Sequence, residues 1–290
     1  MDLDGVHGAA GIRLVGRRDA DYPAWLGRIH DPPSQLWVRG RLVAGEGEQA
    51  VAVVGSRAAT RAGLAFARLL AAELAASGLT IVSGLARGID TAAHQGALDA
   101  GGRTVAVLGS GLDRIYPSEN AALARAITGQ GAVVSEFPPG TVPWKGNFPR
   151  RNRTIAGWAR AVIVVEAGER SGALSTARAA LDEGRDVMAV PAHPTLPSAA
   201  GTNALLRDGA ALVRDASDVL SELGLTRAPL DPPVPENSPL LGALRRGVPT
   251  SVEEIAIRCA LPVPELLARL TELELSGLLR RLPGAFFVRS

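Results

Sequence analysis

Cysteine is almost absent: Cys259 is the only one in 290 residues. No internal disulfide can form, and a reducing compartment, the cytoplasm, is expected. No run of about 18 apolar residues occurs, so no membrane span is expected. The N-terminus is acidic and glycine-rich and has no apolar signal core. Histidine is sparse, and His7, His30, His94 and His193 lack metal-ligand spacing, so no metal site is expected. The net charge is only +2. Charge over the whole chain therefore points to no partner, and any argument for nucleic acid must rest on local clusters.

Two familiar nucleotide motifs are missing as well. Gly55-Ser56-Arg57 is not G-x-G-x-x-G, and where a ribose-binding carboxylate would end the second strand, Val82 meets Ser83. No G-x-x-x-x-G-K-[ST] loop is present, so ATP hydrolysis of the P-loop kind is not expected. No cofactor is expected.

What is present is organised around residues 51–90. Val51 to Val54 is a short β-branched run closed by Gly55-Ser56-Arg57, and an alanine-rich helix follows to about Ser77, stopped by Gly78. Thr80-Ile81-Val82 is the next strand, followed by Ser83-Gly84-Leu85-Ala86-Arg87-Gly88. Apolar run, glycine, then helix is the grammar of a parallel sheet. Glycine lets backbone approach a ligand, and a helix start offers free N–H groups. Arg57 and Arg87 add guanidinium forks suited to phosphate. The alternative is a pair of tight turns with solvated arginines.

The alternation continues. Residues 88–100 read as a helix containing His94, which is structural unless it serves as an acid–base group. Strands are expected at Thr104 to Leu108, Ala132 to Val134, Ala161 to Glu166, Asp186 to Val190 and Ala210 to Val213, with helices between them. The result is a doubly wound, mostly parallel α/β sheet with most loops on one edge. Before it, residues 1–20 contain little pattern and are expected to be loose. Leu36-Trp37-Val38 reads as a strand whose aromatic caps the sheet edge.

Residues 141–160, TVPWKGNFPRRNRTIAGWAR, contain Lys145, Arg150, Arg151, Arg153 and Arg160 and no acidic residue. Trp144, Phe148 and Trp158 are interleaved. Cations neutralise phosphates and aromatic faces stack bases of any sequence, so Lys145, Phe148 and Arg151 are candidates for nucleic-acid contact. Trp158 is expected in the core.

The main domain spans 21–225. Residues 226–238, TRAPLDPPVPENS, form a proline-rich linker. Residues 239–290 read as a small domain: helices at Leu240 to Arg245, from Ser251, and at Pro264 to Ser276, then a hairpin about Pro283-Gly284. Three helices and a hairpin make a winged helix. Its third helix carries Glu265, Glu272 and Glu274 against Arg269 alone, which leaves protein contact and DNA contact both open.

Taken together, these residues resemble the DprA/Smf family, DNA-processing protein A of bacteria. The marks are Asp31-Pro32-Pro33, Gly55-Ser56-Arg57, Ser83 to Asp90, Gly109-Ser110-Gly111 with Tyr116-Pro117, Phe148 to Gly157, and Ser171-Gly172 with Thr176. The resemblance implies a Rossmann-like domain that binds single-stranded DNA, forms a homodimer and loads the RecA recombinase onto incoming DNA in natural transformation, with single-strand-binding protein as a further partner. It implies that Arg57 and Lys145 grip phosphate and that Phe148 stacks near a base. It also implies that Ser56, Gly84, Arg87, Gly109 and Asn152 line the same pocket; Gly55 and Arg153 are further candidates for nucleic-acid contact. Two departures stand out. Only about 20 residues precede Tyr22, where family members often carry an extra helical domain, and Ser118 replaces a common lysine after Tyr-Pro, which implies a weaker phosphate contact.

The rival is an enzyme. The nucleotide phosphoribohydrolases of the lysine-decarboxylase-like group carry P-G-G-x-G-T-x-x-E, whose glutamate serves glycosidic cleavage. The matching position here, three after Thr176, is Ala179. Glu136 and Glu166 are the substitutes available for acid–base work, and a non-catalytic protein is the expectation. A third reading is a nucleotide sensor using its winged helix on duplex promoters.

Overall fold

The computed structural model describes residues 6–7, 11–43, 45–225, 239–244, 248–275, 279–282 and 284–289. The chain divides into two compact units, Met1–Ala228 and Pro229–Ser290.

In the first unit the strands are β1 (Val6–His7), β2 (Ile12–Gly16), β3 (Gln35–Gly40), β4 (Ala50–Val54), β5 (Thr80–Ser83), β6 (Thr104–Leu108), β7 (Ala132–Ser135), β8 (Ala161–Val164), β9 (Asp186–Ala189) and β10 (Ala211–Leu212). The helices are α1 (Arg61–Ala76), α2 (Ile89–Asp99), α3 (Ala121–Gln130), α4 (Asn147–Trp158), α5 (Ala173–Asp182), α6 (Ala200–Arg207) and α7 (Ala216–Glu222). These strands form one sheet in the order β1-β2-β3-β7-β6-β5-β4-β8-β9-β10. From β7 to β10 the pairing is parallel throughout. The fold is a Rossmann-like α/β sheet.

Every residue of β4 and of β8 is buried, as expected of central strands covered on both faces. On one face α1, α2 and α7 enclose a core of Val51, Val53, Leu70, Leu74, Ile89 and Val219. On the other, α4 and α5 pack Ile155, Trp158 and Ala177 against Ala52, Val54, Val105 and Val162.

The helix boundaries follow local chemistry. The Thr60 side chain accepts a hydrogen bond from Gly63 N and caps α1. Gly78, at φ +88° just past its end, lets the chain turn directly into β5.

Two expectations are corrected. Residues 12–16 are not loose: β2 pairs antiparallel with β3, with Ile12 and Val15 buried. Arg13 and the flanking glycines hide the strand in the sequence, and its pairing partner decides it. Trp37 does not cap an edge either. β3 lies between β2 and β7, antiparallel to both, and Trp37 packs in a buried layer with Ile12, Ile127 and Val133.

The second unit contains α8 (Pro239–Gly242), β11 (Thr250–Ser251), α9 (Val252–Cys259), α10 (Val263–Leu275), β12 (Leu279–Leu282) and β13 (Phe286–Arg289). β13 pairs antiparallel with both β11 and β12. This is a winged helix, closed on Leu244, Ile255, Leu266, Leu270 and Phe287. The strand β11 is an addition to the sequence reading, and the expected first helix is shorter, ending at Gly242. Ser251 caps α9 by accepting from Glu254 N. The linker at 226–238, and Pro283 of the expected turn, lie outside the described residues.

β4 is the point where the winding reverses. The chain proceeds from β4 outward through β5, β6 and β7, then returns past β4 to β8 and continues to β10. Loops leaving the carboxyl ends of β4 and β8 diverge to opposite faces of the sheet, and the crevice between them is where such folds take ligands.

Candidate nucleic-acid interface

The loop after β4 is held by its neighbours. Ser56 N donates to Glu166 O at 2.6 Å, and Ile89 N donates to Ser56 O at 3.2 Å. A Cβ at position 55 would come within 2.5 Å of Ile89 Cγ1 and 2.9 Å of Glu166 O, so this approach of three segments requires glycine. Arg57 follows and is exposed.

The loop after β5 is organised by a buried carboxylate. Asp90 Oδ2 accepts from Gly84 N at 3.1 Å and Ala86 N at 3.3 Å. Arg151 Nη1 lies 3.9 Å from the same oxygen. A Cβ at position 84 would overlap the Arg151 guanidinium. Burial pushes the Asp90 carboxyl above the usual carboxylate range, opposed by Arg151. Burial pulls Arg151 down, but a guanidinium keeps its proton at neutral pH.

Helix α4 completes the site. Asn147 Nδ2 donates to Gly109 O at 3.0 Å and ties the first turn of α4 to the end of β6. One residue on, the Phe148 ring meets the guanidinium carbons of Arg57 and Arg151 at 5.1 and 5.8 Å from its centroid. Both lie within cation–π range. The Tyr116 ring stands 6.2 Å away, tilted by 40°.

Around these residues lies a hollow of about 750 Å³. Gly55, Ser56, Arg57, Lys145, Phe148, Arg151 and Asn152 line it, together with Arg170 and Ser171 from the loop after β8. A smaller hollow of about 60 Å³ contains Gly84, Arg87, Gly109 and Tyr116, and shares Arg57, Phe148 and Arg151 with the first. Arg57, Lys145 and Arg170 are exposed cations. Among the described residues the one carboxylate in the lining, Asp90, already faces Arg151. The arrangement can hold phosphates beside an aromatic face.

Arg57 and Lys145 thus share one hollow although 88 positions separate them in the chain. Arg153 lines neither hollow and is a correction. It pairs with Asp31 and lies 3.7 Å from Glu136. Two residues after Arg151 is about 200° around a helix, which turns Arg153 to the opposite flank of α4. Arg87 is spoken for in part, donating to Glu119 at 2.7 and 2.8 Å. Arg151 forms floor rather than surface, being 4% exposed.

Arg170 and Tyr116 are not among the sequence candidates. A signal for Arg170 exists, because it follows a strand end and a glycine just as Arg57 does. Glu136 and Glu166 line neither hollow. Glu166 accepts from Thr60 N at 3.1 Å and Thr60 Oγ1 at 2.7 Å. Glu136 accepts from Thr154 Oγ1 at 2.5 Å and faces Arg150 at 3.2 Å. His94 is buried in the core, with Nδ1 2.7 Å from Thr104 Oγ1.

Residues 13–224 match the family model described as DNA recombination-mediator protein A. The chain belongs to that family. Residues 224–285 match the DprA winged helix domain. Protein Smf of Escherichia coli K12 is 43% identical over 279 residues, covering 91% of this chain and 74% of the relative. The X-ray structure of DprA from Streptococcus pneumoniae matches with a TM-score of 0.69 at 44% identity, over 73% of this chain and 74% of that one. DprA from Helicobacter pylori, solved for its single-stranded DNA binding mode, matches with a TM-score of 0.66 at 30% identity, over 73% of this chain and 95% of that one. Membership assigns the chain to DNA processing in recombination. Among the described residues no helix is long and apolar enough to cross a membrane.

Proposed function

We propose that this protein binds single-stranded DNA across the carboxyl edge of its sheet without cutting it, and that it delivers the strand to the RecA recombinase as a homodimer. The observation that carries the reading is Phe148, flanked by Arg57 and Arg151 at the border of two hollows. Exposed cations hold the phosphates, and an aromatic face accepts any base. The Helicobacter relative's single-stranded DNA binding mode supports the same choice of ligand. A non-catalytic role is supported by the two strand-end glutamates, both engaged in structural hydrogen bonds away from the hollows.

The test compares affinities for a single strand and a duplex of the same sequence across a salt series. The expected result is a preference for the single strand, a steep salt dependence and little sequence preference. Equal affinity for both forms would overturn the reading. Delivery is tested by RecA filament assembly on strands precoated with single-strand-binding protein, with and without this protein. An unchanged assembly rate would remove the recombinase step.

A further inference from the structure

A third hollow, of about 140 Å³, has Arg39, Arg125, Leu112, Ile115, Ala124 and Val133 among its lining residues and shares none with the two hollows of the interface. Its chemistry is unusual for its place. Strand alternation puts Arg39 on the same face of β3 as Trp37. Its cross-strand partners, Ile12 and Val133, belong to a buried apolar layer that α3 covers. A guanidinium therefore enters an apolar layer, and its Nε is buried without a hydrogen-bond partner. Arg125, an exposed residue of α3, lines the same hollow.

Among the described residues no carboxylate lines this hollow, and neither Arg39 nor Arg125 forms an ion pair. The acidic residues nearest in sequence are engaged elsewhere: Asp113 accepts from Gly140 N at 2.7 Å, and Glu119 pairs with Arg87. Two cationic residues border the hollow with no carboxylate between them, and a buried N–H lacking an acceptor costs free energy. An oxyanion would supply both the counter-charge and the acceptor. The volume is too small for a nucleotide but holds one phosphate group with a few waters, at about 30 Å³ per water.

We infer that Arg39 and Arg125 form a second anion site, separate from the Phe148 interface, that takes a single phosphate group. The phosphate comes either from a free phosphate or from the backbone of a bound strand. The inference does not rest on the proposed single-strand activity.

The test follows the melting midpoint of the full chain against inorganic phosphate, with chloride holding ionic strength constant. A saturable rise is expected in the wild type and in Arg57→Ala. Arg125→Ala, an exposed position, should weaken the response about tenfold or more, as loss of a charge-assisted hydrogen bond does. Arg39→Met should weaken it at least as much. No saturable response in the wild type, or an unchanged response in Arg125→Ala, would overturn the site. Loss in Arg57→Ala with retention in Arg125→Ala would place phosphate in the larger hollow and overturn it equally. An oligonucleotide arm then separates the sources. Competition between oligo(dT) and phosphate, with a shallower salt slope in Arg125→Ala, identifies a strand phosphate, and no competition identifies a free one.

Discussion

The guanidinium carbon of Arg57 sits 5.1 Å from the centre of the Phe148 ring. One residue follows β4 and the other lies in the first turn of α4, so the contact closes the crevice at the point where the winding reverses. Phe148→Ala should therefore cost stacking rather than charge. The expected loss for single-stranded DNA is about 1–3 kcal/mol, or about 5- to 150-fold. The salt slope should stay as in the wild type, which fluorescence anisotropy across a salt series would read. A changed slope with unchanged affinity would contradict the assignment.

Arg57→Ala and Lys145→Ala should show the opposite signature. Each removes one phosphate contact, weakens binding of all sequences alike and lowers the salt slope by about 0.7 for a single strand. Arg153→Ala is the control from the same helix. Its guanidinium faces Asp31 and Glu136, so the slope should not move.

Gly84→Ala tests the floor. The added methyl overlaps the Arg151 guanidinium and forces it off Asp90. Overpacking of this kind typically costs about 1–3 kcal/mol. Both urea stability and single-strand affinity should fall, and normal values of both would show that the floor yields freely.

His94 sets an acid limit on stability. Thr104 Oγ1 donates to Ile81 O at 2.7 Å, so it accepts from His94 Nδ1, which carries the proton. Burial lowers the histidine to about 3 from 6.5. A depressed folded value means the unfolded chain binds the proton first, so stability is complete above 6.5 and declines as pH falls toward 3. At pH 5 the loss is about 2 kcal/mol. Urea midpoints at pH 7 and pH 5 should differ accordingly, and His94→Gln should reduce the difference.

The parallel strands are legible because β4, β6 and β8 are continuous apolar runs, a pattern set by burial on both faces. The short β2 is not, since Ile12-Arg13-Leu14-Val15 takes its place through pairing with β1 and β3 and through burial of Ile12 and Val15. Within 141–160 the sequence marks a basic, aromatic stretch but assigns its cations no direction.

Residue order alone specified the class of fold, the glycine turns that bring backbone close, and the winged helix beyond the proline-rich segment. Those features arise from neighbours in the chain, through dihedral preference and apolar period. Folding in three dimensions chose which cations converge: Arg57, Lys145 and Arg170 meet around one hollow, Arg151 becomes its floor, and Arg153 turns away. That choice depends on helix phase and on contacts between segments far apart in the chain, which no local pattern records.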